Sequence, residues 1–324
     1  MKKFTTVSIL FFVFALLPIV TSAQNKVKME PVNKDDKKET RKQNEGRSDT
    51  LFIKQLDINT KVWKNIRPTI QLFYLRSVPS LLDEEHKDFR NPFKGEFANG
   101  NAGEIKLGTV YQNMVKPDHG IAEYEFNGVF FKYMGPNEYM ENDVDRDQYN
   151  LKLIQFGFSN TNGYGWQSKS SWFGIYLYTG SGLNWTNVSY TVETGGDESS
   201  NEALNTFDGS LRFGQTWESG LRMSLIGPLN IIGGYEQNII FPRHLFWKWA
   251  VSGLIEGVGI GLLGAFSNWI MDEAPAAGPV VNWALKTGAY YILYKLRTED
   301  MNWPFETAPP LVIDSWKIGL SLEF

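Results

Sequence analysis

Counted back from Phe324, every second residue is apolar: Phe324, Leu322, Leu320, Ile318 and Trp316. Between them stand Glu323, Ser321, Gly319 and Lys317. Successive side chains on a β-strand point to opposite faces, so this pattern makes one apolar and one polar face. The same period runs through the body of the chain. Leu211, Phe213 and Trp217 alternate with Arg212, Gly214 and Thr216. Ala122, Tyr124, Phe126 and Phe130 alternate with Glu123, Glu125 and Asn127, and Ile70, Leu72 and Tyr74 alternate with Gln71. Tyr149–Ser159, Glu104–Gln112, Trp172–Tyr178 and Leu183–Val192 also read as strands, and Leu221, Met223 and Leu225 alternate after an expected turn at Glu218-Ser219-Gly220. A chain so patterned is held to β-sheet with two unlike faces. Sheets in water alternate as well, so the period alone does not place this one in a membrane.

Composition narrows the classes. There is no Cys, which removes disulfide scaffolds, thiolate metal sites, thiol nucleophiles and a lipidated N-terminal Cys. The formal charge of −4 lacks the basic footprint of a nucleic-acid binder. Mean hydropathy is negative, unlike that of a polytopic helical membrane protein. Aromatic residues make up 15% of the chain, and Gly is abundant. The N-terminus orders a basic head (Met1-Lys2-Lys3), an apolar run from Val7 to Val20, and small residues Thr21-Ser22-Ala23. That order is a cleavable export signal over 1–23. Residues 24–50 mix charges with almost nothing to bury, which predicts a disordered periplasmic leader.

The C-terminal pattern resembles the assembly signal of Gram-negative outer-membrane β-barrels. The matching positions are the polar Lys317, then Gly319, the hydrophobic Leu322 and the terminal aromatic Phe324. The resemblance implies that the barrel assembly machinery recognises the last strand, and that outer-membrane lipid surrounds the folded protein. Strand length, aromatic residues near strand ends and the export signal agree with it. The fold expected for 51–324 is therefore an all-β, transmembrane antiparallel barrel of about ten strands, within a range of eight to twelve. Closure is required because hydrocarbon offers no partner to a free strand edge. Long polar loops are expected at 77–103, 135–146 and 193–202, with tight turns opposite, one of them at Gly227-Pro228.

Residues 245–296 depart from the alternation. Leu245–Met271 is the longest apolar stretch, interrupted by Lys248 and Glu256. On a helix, Gly253, Gly257, Gly261 and Ala265 form one stripe of small residues suited to close packing. On a strand, Gly253, Gly257, Gly259 and Gly261 share a face. Length favours the helix, and Asp272–Pro279 then breaks it from a second apolar segment ending at Leu296. An inserted helical hairpin before the last strand is expected, with a protein partner as one possible occupant of its surface.

Little in the sequence carries chemistry. His86, His119 and His244 have no metal-ligand spacing. Asp143, Asp145 and Asp147 have the spacing of a Ca²⁺ loop, but Gln148 and Ile154 stand where Gly and Glu are needed. Ser159-Asn160 with Trp172 partly resembles the outer-membrane phospholipase and lipid A deacylase pattern. Gly157 replaces the His that would take the Ser159 proton, and Phe173 follows Trp172 where the phospholipase has Asn. Ser159 and Asn160 are instead expected to open a polar loop. No catalytic, cofactor or metal residue is assigned. The expected function is a non-enzymatic outer-membrane channel, scaffold or envelope-complex subunit. A lipid-modifying hydrolase and a soluble periplasmic β-sheet protein are the alternatives.

Overall fold

The computed structural model describes residues 66–81, 93, 95–136, 148–168, 173–192 and 198–324. The export signal, the leader, residues 51–65, His86, the Asp143–Asp147 run and Trp172 lie outside the described residues.

Eight long strands follow one another: β1 (Ile66–Ser80), β2 (Gly100–Lys116), β3 (Ile121–Pro136), β4 (Gln148–Gln167), β5 (Gly174–Val192), β6 (Leu211–Ile226), β7 (Leu229–Ile240) and β8 (Leu311–Glu323). Each pairs antiparallel with its neighbours in sequence. The last pairs with the first, Phe73 opposite Gly319 and Ile70 opposite Leu322, so the sheet closes into a barrel. A two-residue segment, Glu96–Phe97, adds a parallel bridge to β4.

Eight strands, not ten, make the barrel. The difference lies in two glycine-bearing segments that look like turns and are strand interior. Gly180-Ser181-Gly182 sits in mid-β5, joining what reads as two strands, and Glu218-Ser219-Gly220 sits in mid-β6. At Gly220 a Cβ would stand 2.2 Å from the Gly233 carbonyl oxygen, so the glycine there permits close strand approach rather than chain reversal. Ser159 and Asn160 likewise fall inside β4, not at the mouth of a loop.

The two rims differ. At one, the chain reverses through a single turn of 3₁₀-helix, Pro117–His119, and through Gly227; Gly120 and Gly227 both adopt positive φ. At the other rim the connections are long, and one carries helix α1 (Glu198–Asn205). The longest connection, between β7 and β8, holds two helices, α2 (Phe246–Glu273) and α3 (Gly278–Glu299). Pro279 at the first turn of α3 suits the fixed proline φ and explains where that helix begins. The region 245–296 is thus helical, not a pair of strands.

Side-chain direction follows the alternation. In β1, Gln71, Phe73, Leu75 and Ser77 are buried inward, whereas Leu72 and Tyr74 face out and are 54% and 55% exposed. In β8, Lys317, Ser321 and Glu323 point inward, and Trp316, Ile318, Leu320 and Leu322 point outward. An eight-stranded barrel has an interior just wide enough for side chains to fill. α3 packs on the outer wall over β4, β5 and β6. Outward-facing Phe213 and Trp217 are buried beneath Tyr294 of α3 and Trp249 of α2.

Candidate functional site

The barrel lumen is ionic at its waist. Three lysines and three glutamates, all buried, project inward: Glu104 and Lys106 from β2, Lys132 from β3, Glu218 from β6, Glu236 from β7 and Lys317 from β8. Lys106 Nζ donates to Glu218 Oε1 at 2.8 Å, a contact that crosses the barrel from β2 to the opposite strand β6. Lys317 Nζ bonds Glu218 Oε2, lies 3.2 Å from Glu236 Oε2 and 3.6 Å from Glu104 Oε2. Lys132 Nζ bonds Glu236 and lies 3.8 Å from Glu104. Charges of the two signs alternate and balance, which is the condition for holding ions out of water without a large penalty. The ammonium groups of Lys317 and Lys106 also sit 4.7 and 5.6 Å from the Phe73 ring centroid. A void of about 10 Å³ beside Glu104, Ser159 and Glu218 has room for roughly one water.

A second inward cluster lies nearer the tight-turn rim. The Arg222 guanidinium is fully buried, bonds Glu323, and stacks 4.5 Å from the Tyr124 ring centroid and 5.3 Å from that of Tyr176. Glu323 also takes Arg67 Nη1 at 3.0 Å and Asn230 Nδ2 at 3.1 Å. Together these contacts fasten the ends of β1, β6, β7 and β8.

The outer wall under the helices is polar where the rest of the exterior is apolar. Asn162 Oδ1 accepts Lys286 Nζ of α3 at 2.9 Å. Asn162 Nδ2 donates to Asn160 Oδ1 at 3.4 Å, Asn160 bonds Asn127, and Asn127 Nδ2 donates to Glu125 at 2.9 Å. Further round, Tyr294 Oη donates to Asp314 Oδ1 at 2.8 Å. The two helices are bolted by Arg297, whose guanidinium bonds Glu256, Ser252 Oγ at 2.9 Å and the Met301 carbonyl at 2.9 Å.

The residues singled out by sequence fall in several places. Lys317 is the hub of the lumen cluster. Gly319 faces inward under Phe73, where a Cβ would stand 2.3 Å from both the Leu72 carbonyl oxygen and the Phe73 ring. Leu322 and Phe324 face outward, and the Phe324 amide donates to the Pro68 carbonyl at 2.9 Å. A Cβ at Gly253, Gly257 or Gly261 would meet nothing within 4 Å. Gly257, Gly261 and Ala265 are exposed, and the buried face of α2 carries Ser252, Glu256, Ser267 and Met271 instead. Ser159 points into the lumen and accepts Lys106 Nζ at 3.1 Å. Gly157, the position of the base in the hydrolase pattern, has no room for a side chain, since its Cβ would lie 2.1 Å from the Leu183 carbonyl oxygen. His119 is exposed at the tight-turn rim. His244 is exposed at the opposite rim but packs edge-on against Phe213, and this partial desolvation lowers its imidazole from the ordinary value. Glu104, Lys106, Lys132, Glu218 and Glu236 belong to no motif in the sequence. Their signal was a charge at an inward position between outward apolar residues, as in Ile105-Lys106-Leu107.

No protein-family model matches the chain, and no curated protein matches it. Among solved structures, Neisserial surface protein A is similar at 12% identity, over 80% of this chain and 97% of its own, with a TM-score of 0.35. The attachment invasion locus protein Ail of Yersinia pestis is similar at 10% identity, over 80% of this chain and 98% of its own, with a TM-score of 0.25.

Proposed function

We propose that this chain is an integral outer-membrane barrel that acts as a closed scaffold rather than as a channel or a hydrolase. One observation carries the reading: charged groups are enclosed at the waist of the lumen, while the exposed outer face of the strands is apolar. Six mutually paired ionisable side chains fill the waist, while Phe131, Ile318 and Leu320 stand 48%, 61% and 50% exposed on the exterior. A soluble β-protein buries such residues, and a continuous exposed apolar surface of this extent marks a lipid or protein interface. Export through 1–23 and assembly through the Phe324 end belong to the same reading.

Of the non-enzymatic roles, the lumen favours scaffold or envelope-complex subunit over channel. Lys106 and Glu218 meet across the barrel, and Lys317 fills the space beside them. The hydrolase reading loses its support at the same place. Ser159 is 7% exposed and faces the packed lumen, away from any lipid ester outside the wall.

The test is fractionation of the protein produced in a Gram-negative host. The scaffold reading expects it in the outer-membrane fraction, released by detergent and not by alkali, with heat-modifiable migration on gels. Recovery in the soluble periplasmic fraction overturns it.

A further inference from the structure

We propose that α2 and α3 cross the outer membrane beside the barrel, their outer face against lipid acyl chains and their tip at 274–277 on the periplasmic side. The proposal rests on the outer-membrane reading above and adds a transmembrane helix pair to it.

The span is set by what each end of α2 touches. Its start follows β7 at the long-loop rim, where Trp249 packs edge-on to Phe213 with ring centroids 5.2 Å apart. Its last turn lies at the opposite rim, where Asp272 pairs with Lys116 at 2.9 Å, one residue before the Pro117–His119 turn. A helix of 28 residues is about 42 Å long, enough for a hydrocarbon core of about 30 Å. It therefore runs the height of the barrel along the outside of the wall.

The two faces of the pair have opposite chemistry. Outward, Leu254 and Leu262 are each 68% exposed, and Val258, Phe266 and Ile292 are exposed with them. Only 17% of the most apolar stretch of α2 is buried, unlike the core helix of a soluble protein. Inward, the pair supplies partners to polar groups on the outer wall. Lys286 meets Asn162, Tyr290 faces Ser181, and Tyr294 meets Asp314. On a bare barrel those strand residues would face hydrocarbon with these partners lost, and each polar group left unpaired there costs several kcal/mol. The one acid within the span of α2, Glu256, is paired with Arg297 inside the pair, as ionisable groups at membrane depth are. The remaining charges of α2 are Lys248 near its start and Asp272 and Glu273 at its end. Acyl chains are the occupant that fits this outer face, because it continues the apolar exterior of the strands at the same height.

The chain has no Cys, so single substitutions report position directly. Asp208→Cys marks the long-loop rim, Asp118→Cys the tight-turn rim, and Ala276→Cys the helix tip. The probe is a membrane-impermeant maleimide, applied to intact and to permeabilised cells, with heat-modifiable migration used to select folded variants. The expected result in intact cells is labelling at 208 and its loss at both 118 and 276, with all three labelled after permeabilisation. Labelling of 276 in intact cells with 118 protected overturns the proposal and leaves the barrel reading standing. Labelling of 118 in intact cells overturns the barrel's orientation, and the proposal with it.

Discussion

Replacing Lys317 by Met takes the central cation out of the lumen while keeping an unbranched side chain of similar length. Three carboxylates then share two ammonium groups, and Glu104 loses one of its two ionic neighbours. At the 3.2 Å separation of Lys317 and Glu236, with an effective dielectric of about 20, one such contact is worth about 5 kcal/mol before desolvation is counted. Breaking a buried pair by removing one partner costs about 3–5 kcal/mol. We expect a loss of that size, read as a lower urea midpoint for the refolded barrel in lipid vesicles by Trp fluorescence and gel mobility. The double variant Lys317→Met/Glu104→Gln leaves two close pairs, Lys106 with Glu218 and Lys132 with Glu236. It should recover most of the loss. The lumen account is refuted if Lys317→Met unfolds at the parent's midpoint, or if adding Glu104→Gln lowers stability further. Failure of the double variant to assemble in cells, with its stability restored in vitro, would assign Lys317 a separate part in assembly.

Gly319→Val places a side chain against the Leu72 carbonyl and the Phe73 ring at the β1–β8 seam, and should cost at least about 1–3 kcal/mol by overpacking, seen as loss of the fast-migrating folded band. Deleting Phe324 should cut outer-membrane insertion in cells while moving the urea midpoint of refolded protein by less than about 1.5 kcal/mol, since its ring is exposed and one backbone hydrogen bond is lost. Arg297→Leu strands Glu256 between the helices, and should speed amide exchange across 246–310 while the β1–β8 strands keep their protection; the pair should lose about 3–5 kcal/mol of local stability.

The barrel was legible because the inward and outward sets of residues keep a period of two over whole strands, and Phe324 closes that pattern at the chain's end. The Gly227 reversal was legible too, as Gly-Pro leaves few other uses. Strand number is not legible at Glu218-Ser219-Gly220. Local turn chemistry reads that triplet as a reversal, whereas the lumen needs the carboxylate and the neighbouring strand needs the missing Cβ. Neither need is visible in the triplet itself: Lys106 lies on β2, and Gly233 lies across the hairpin on β7. The lumen cluster was hidden for the same reason, its members being drawn from five strands. The stripe at Gly253, Gly257, Gly261 and Ala265 predicted helix packing, and α2 instead meets its neighbour through Ser252 and Glu256. A charged bolt, Arg297 with Glu256, selects that face, and a small-residue pattern carries no information about where the charge will go. Asn160 looked like loop because polar residues on an outer barrel wall make sense only once a helix lies over them.

Conductance of the refolded protein in a planar lipid bilayer tests the central claim most directly. A barrel whose waist is filled by Lys106, Glu218, Lys317 and Glu236 should insert and leave the current at its baseline. Stable ohmic steps that scale with salt concentration would contradict it.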